Sequence, residues 1–250
     1  MKTLTLALGA LAAMMSTAAV EAADIKVLAS NGVRGTLEEL APAFERATGN
    51  KLAITFGLAA VLKRQIEAGE AFDLAILTSA GIEDLARQGK IDAPSRTSIA
   101  RSGVGIAVRA GAPKPDISTA EALKRTLLAA KSITWAKEGA SGVYFASVVE
   151  KMGIAGQVKP KLNLAASGAQ VGEKIAAGEA ELGALLVNEI LALKGVEVAG
   201  PLPPELQSYT VFHGGVSAAS KDAAAVKALI QFLTTPAAGA VFKSKGQEPG

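Results

Sequence analysis

IKVLASNGVRGTLEELAPAF, residues 25–44, carries a strand, a turn and the start of a helix in one phrase. Residues 25–29 form a short apolar run that reads as a buried strand. Ser30, Asn31, Gly32, Val33, Arg34 and Gly35 make a small polar turn, and over residues 37–47 the apolar side chains fall at helical spacing. The phrase recurs along the chain. Further strands are expected over residues 52–56, 74–77, 103–108, 133–135 and 182–187. Helical patterns cover 61–68, 82–88, 120–130, 143–152 and 171–177. Such alternation predicts an α/β protein whose right-handed crossovers build parallel sheets. Gly49, Gly69, Gly89, Gly153 and Gly178 each follow a helical pattern, where a left-handed cap suits glycine.

The pattern breaks twice. Residues 94–102 are polar and irregular, and the proline-rich turn at 201–204 precedes an extended stretch over 209–219. These breaks divide the chain into a first lobe of residues 24–101 plus 212–250 and a second lobe of residues 102–211. Each lobe is expected to be a mixed, mainly parallel sheet flanked by helices. Two crossings make a hinge, and the cleft between hinged lobes is where a small ligand sits.

Outside that fold lies an address. Lys2, the apolar run of residues 4–13, and Val20, Glu21 and Ala22 as a small-x-small site read as a cleaved signal peptide over residues 1–22. Its apolar core of roughly ten residues is too short to span a bilayer, which needs about 20. The expectation is an exported, soluble, periplasmic protein. With no cysteine in the sequence, a lipid anchor on a new N-terminal Cys, disulfides, thiolate metal sites and a Cys nucleophile are all excluded. The net charge of +3 is spread among interleaved acids and bases, which argues against nucleic acid as a partner and suits a small anion.

In open parallel sheets the ligand sits beyond the carboxyl ends of the strands, where loops feed helix starts. Four such loops stand out: Ser30, Asn31 and Gly32; Leu58 and Ala59; Ser141 and Gly142; and Ala169 and Gln170. Two fall in each expected lobe. Free backbone N–H groups and the helix dipole there favour an anion without a metal. Arg34 beside the first helix start either pairs with Glu38 or grips a carboxylate with its planar fork. Tyr144 either packs its ring or turns its hydroxyl to the cleft, and Asn188 after the strand at 182–187 either contacts a ligand or caps the next helix. His213, the sole imidazole, lies in an extended apolar stretch and reads as structural. Without a nucleophile, a zinc set or a nucleotide loop, the residues point to a binder rather than an enzyme, with no cofactor.

IKVLAS at 25–30, LKRQIEAG at 62–69, FDLAI at 72–76 and GEAELG at 178–183 together resemble the periplasmic molybdate-binding proteins of ABC importers, over essentially the whole chain after the leader. The resemblance implies the two-lobed type II binding-protein fold with a double crossover, a monomer, no catalysis, and an inner-membrane permease as partner. It also implies hydroxyl donors to the oxyanion at three places. In this sequence those places hold Gly32, the run Leu58, Ala59 and Ala60, and Leu186. Each missing donor is worth about 1–3 kcal/mol to a dehydrated oxyanion. An organic carboxylate is therefore expected as ligand, with molybdate or tungstate as the alternative. A ligand-sensing subunit and an enzyme on the same fold are the readings from other classes.

Overall fold

The computed structural model describes residues 22–250; the expected leader lies almost wholly outside them. Two sheets share one long strand. In the first, β1 (Asp24–Ser30) pairs in parallel with β2 (Lys51–Gly57) and with β3 (Leu74–Thr78). The helices α1 (Arg34–Thr48), α2 (Ala59–Glu67) and α3 (Ser79–Arg87) follow these strands in turn. In the second sheet β5 (Ile133–Trp135) pairs in parallel with β6 (Leu182–Leu186). α4 (Ala120–Ala129) precedes β5, and between β5 and β6 in sequence lie α5 (Ala140–Lys151), α6 (Ala155–Val158) and α7 (Gly168–Ala176).

The shared strand is β4 (Thr97–Arg109). Its first half, to Gly103, pairs antiparallel with β8 (Tyr209–Val216), which also pairs antiparallel with β3. From Val104 it pairs antiparallel with β6 on one side and with β7 (Val196–Pro201) on the other. The parallel strands thus carry the helices, and the antiparallel strands carry the crossings. Residues 97–102, read as irregular from their polarity, are strand: edge pairing satisfies their backbone whichever side chains they bear. The short α8 (Val187–Ala192) links β6 to β7, and α9 (Ala223–Leu233), α10 (Pro236–Ser244) and β9 (Glu248–Pro249) return the chain to the first sheet, where β9 pairs with β4.

Burial explains the elements. Ile25, Val27, Leu74 and Ile76 face α1 and α9, where the Phe44 and Phe232 rings meet with centroids 5.6 Å apart. On the opposite face Leu28, Ala75 and Leu77 are covered by Leu62, Ile66, Ile82 and Leu85. The second sheet repeats the sandwich, with Trp135 against Phe145 on one side and Val171, Ile175 and Ile190 on the other. Strands covered on both faces read as continuous apolar runs. Gly49 closes α1 at φ 77°, and Gly69, Gly89, Gly153 and Gly178 also take left-handed φ values, as their positions after helical patterns require. Among the described residues no single helix is long and apolar enough to cross a membrane.

Candidate functional site

The carboxyl edges of the two sheets face one cavity of about 400 Å³. Ser30 ends β1, Thr78 ends β3, Leu186 ends β6 and Ala136 follows β5, and all four line it. Around them stand the first turns of several helices. These starts are not equivalent. Thr78 Oγ1 accepts from the Gly81 N–H at 3.4 Å, Ser167 Oγ from the Gln170 N–H at 3.3 Å, and Ser30 Oγ from the Gly32 N–H at 3.2 Å. α2 and α5 have Leu58 and Gly139 at the capping position, and neither offers a side-chain acceptor. The first N–H groups bonded within these helices are those of Val61 and Val143, so those of Ala59, Ala60, Ala140 and Ser141 have no partner among the described residues. These two starts belong to helices on different sheets and share the same cavity, which the short helix at Val187–Ala192, also without a side-chain cap, borders through Leu186 and Glu189.

Leu58, Val143, Leu185, Leu186 and Phe212 give the wall an apolar part, beside the polar side chains of Ser30, Asn31, Thr78 and Ser141. Its charges are few. Lys63 is bonded to Glu67 at 2.6 Å and sits 3.3 Å from Asp84; the bond to Glu67 above all raises its pKa, while Lys63 lowers that of Asp84. Arg64 of α2 reaches Glu138, just ahead of α5, at 2.6 Å and so ties the first sheet's helices to the second across the cavity. Both partners are about half exposed, and an exposed pair of this kind contributes about 0–1 kcal/mol.

Glu189 differs from these. It lies in the first turn of α8 and takes part in no ion pair among the described residues. Burial pushes its carboxyl from an ordinary 4.5 up to about 7, against a smaller opposing pull from a backbone hydrogen bond at Leu186. The folded protein therefore holds this proton more tightly than the unfolded chain. The stability that follows is complete below about pH 4.5 and is lost as the pH rises to about 7. In Glu189→Gln that loss disappears, so the melting temperature of the variant relative to the parent is expected to climb across this window in thermal melts at stepped pH.

Of the residues singled out in the sequence, Ser30, Asn31, Gly32, Leu58, Ala59 and Ser141 line the cavity together. Arg34, Ala169 and Asn188 line an adjoining cavity of about 710 Å³, which Asn31 and Glu189 also border. Arg34 stands over the Phe56 ring at 4.4 Å, donates to Asn31 Oδ1 at 3.1 Å and sits 3.5 Å from Glu38, the ion-pair alternative weighed for it above. Asn188 donates its amide to the Gly32 carbonyl at 2.8 Å, leaving its buried Oδ1 without a partner among the described residues. Gly142, Tyr144 and Gln170 border neither cavity. A Cβ at Gly142 would stand 2.1 Å from the Ala136 carbonyl, Tyr144 donates its hydroxyl to the Leu206 carbonyl at 2.9 Å, and Gln170 folds back to accept from the Ala166 N–H. Lys63, Glu189 and Phe212 were not among the expected site residues. Only Glu189 left a trace, an acid immediately after an apolar strand. Among the described residues no group of three His, Asp or Glu side chains is placed to hold a metal ion.

A family model described as bacterial extracellular solute-binding protein matches residues 25–248. The chain is 33% identical over 253 aligned positions to an aconitate isomerase from Pseudomonas sp, covering 98% of this chain and 96% of the relative. It is 29% identical over 246 positions to the molybdate-binding protein ModA of Azotobacter vinelandii, covering 95% and 94%. Among solved structures, the Azotobacter vinelandii periplasmic molybdate-binding protein superposes with a TM-score of 0.77 at 21% identity, over 90% of this chain and 99% of that one.

Proposed function

The chain belongs to the bacterial extracellular solute-binding proteins, and from that premise we propose that it captures a small organic polycarboxylate between two lobes in the periplasm and presents it to an ABC permease. The lobes are residues 24–101 plus 212–250 and residues 102–211, hinged where β4 passes between sheets and where the chain returns into β8. The working unit is a monomer.

The observation that carries the reading is the pair of helix starts without side-chain caps, α2 and α5, set into a wall that also presents Leu58, Val143, Leu185, Leu186 and Phe212. Each offers unpaired N–H groups to one carboxylate, and the helix dipoles favour its charge. A tetrahedral oxyanion needs donors around all four oxygens, whereas Gly32, Leu58, Ala59, Ala60 and Leu186 bring no hydroxyl to the wall they line. A carbon skeleton between carboxylates makes use of that apolar lining. The cavity, about 400 Å³, falls in the range of about 300–1,000 Å³ that suits small organic molecules. The relative named for aconitate, a tricarboxylate, supports the same class.

A thermal-shift screen of the purified protein against trans-aconitate, citrate, succinate, molybdate, tungstate and sulfate tests the proposal. A ligand at 100 times its Kd stabilises the folded state by about 2.7 kcal/mol. The largest rise in melting temperature is expected from a di- or tricarboxylate. Stabilisation by molybdate or tungstate with no response to any carboxylate would overturn the reading.

A further inference from the structure

Resting on the polycarboxylate reading, we infer that Glu189 carries a proton between two carbons of the bound ligand, so that the cleft isomerises unsaturated polycarboxylates as well as holding them. Glu189 borders both cavities and so stands in the partition between them. A methyl group built on Gly168, the first residue of α7, would lie 3.7 Å from its carboxyl Oε1, which sets the carboxyl against that helix start with no side chain intervening. The other charged groups on these walls are committed elsewhere: Lys63 to Glu67 and Asp84, Glu138 to Arg64, Arg34 to Glu38, and Lys245 to Glu39. A structural carboxylate is ordinarily paired or solvated. This one, partly buried, borders a ligand-sized space with neither a counter-charge nor a side-chain hydrogen bond among the described residues, and its proton leaves near pH 7, where the acid and base forms are both populated.

One such group is enough for a 1,3-proton shift. In a ligand with a methylene beside a carbon–carbon double bond, a carboxylate oxygen of Glu189 takes a methylene proton. The C–H electron pair becomes the new double bond, and the old π pair moves out onto the far carbon and its carboxylate. Glu189 then returns the proton to that far carbon, where the pair closes a new C–H bond. Nothing is oxidised or reduced, no water is consumed and the glutamate ends as it began. The unpaired N–H groups of Ala59, Ala60, Ala140 and Ser141 face the cavity in which the carboxylate charge grows during the transfer. In propene-1,2,3-tricarboxylate the shift regenerates the same skeleton with the double bond on the other side, so the cis and trans isomers interconvert.

The experiment is proton NMR of trans-aconitate with the purified protein in D2O, with calorimetry of the same ligand in parallel. The expected result is growth of the cis isomer, with a rate that follows a group titrating near pH 7. At saturating ligand, Glu189→Gln, its folding checked by thermal melt, is expected to be slower by about 100-fold or more. Binding without isomerisation by the parent protein would overturn this inference and leave the binding reading standing; absence of carboxylate binding would remove both. An undiminished rate in Glu189→Gln also overturns it. Should that variant fail to fold, the pH profile of the parent decides, since a flat rate between pH 5 and 8 excludes Glu189.

Discussion

Ala140→Asp is expected to weaken polycarboxylate binding by at least about 100-fold while leaving the melting temperature unchanged or higher. Ala140 is the first residue of α5, exposed at the cavity, and the cap ahead of it is a glycine with no side-chain acceptor. A carboxylate placed there meets the partial positive charge of the helix start and stabilises the fold by about 0.3–1 kcal/mol. In a domain of this size that corresponds to a rise of roughly 1–4 °C. It also occupies the N–H groups a ligand carboxylate would use. Two unit charges 4 Å apart repel by about 4 kcal/mol at an effective dielectric of 20, which alone amounts to nearly three decades in affinity. Opposite signs for stability and binding separate this outcome from ordinary damage, which lowers both. Thermal melts and calorimetric titration with the carboxylate that responds in the screen supply the two numbers. Retained affinity would show that α5 does not hold the anion.

The same helix shows what the sequence could and could not disclose. The strands at 25–29, 74–77 and 182–187 were legible because helices cover both of their faces, leaving unbroken apolar runs. Helix ends were legible through glycine. Helix beginnings were not: apolar periodicity marks starts at residues 61, 143 and 171, and each helix begins earlier, at Ala59, Ala140 and Gly168. Ala59, Ala60, Ala140 and Ser141, in the extra first turns, face an open cavity rather than a core, and a residue that faces a cavity carries no burial signal. The loops read as candidate sites are the first turns of the helices themselves.

Side-chain partners were less legible still. For Arg34 the sequence leaves open a pairing with Glu38 or a grip on a carboxylate, and its place over the Phe56 ring follows from a register of β2 with β1 that no local pattern specifies. Glu189 stands beside Gly168, the first residue of α7 and about 20 residues upstream, and that proximity is not written in any local pattern. Burial of a charge is a tertiary property. The identity of the residue showed only that an acid follows a buried strand.

Gly32→Ser is expected to destabilise the protein by about 1–3 kcal/mol without conferring molybdate binding. The family resemblance implies a serine hydroxyl at this position, so the substitution looks like a simple restoration. The packing forbids it. A Cβ at Gly32 would stand 2.3 Å from Cζ of Phe212 and 3.0 Å from both Cε atoms, and Phe212 is fully buried in β8 between β3 and β4. The Gly32 carbonyl is held from the other side by the Asn188 and Gln247 amides, at 2.8 and 2.9 Å, so the turn cannot swing away without giving up two buried hydrogen bonds. Glycine at 32 and phenylalanine at 212 are thus one steric choice, which removes a hydroxyl donor and supplies a ring to the cleft wall. The choice is testable as a coupling. Phe212→Leu opens a gap that a serine at 32 partly fills, so the double variant is expected to be more stable than the sum of its parts by about 0.5–3 kcal/mol. Denaturant melts of the parent, both single variants and the double variant measure it. Additive losses would mean that the ring moves aside freely and that something other than packing keeps the hydroxyl out.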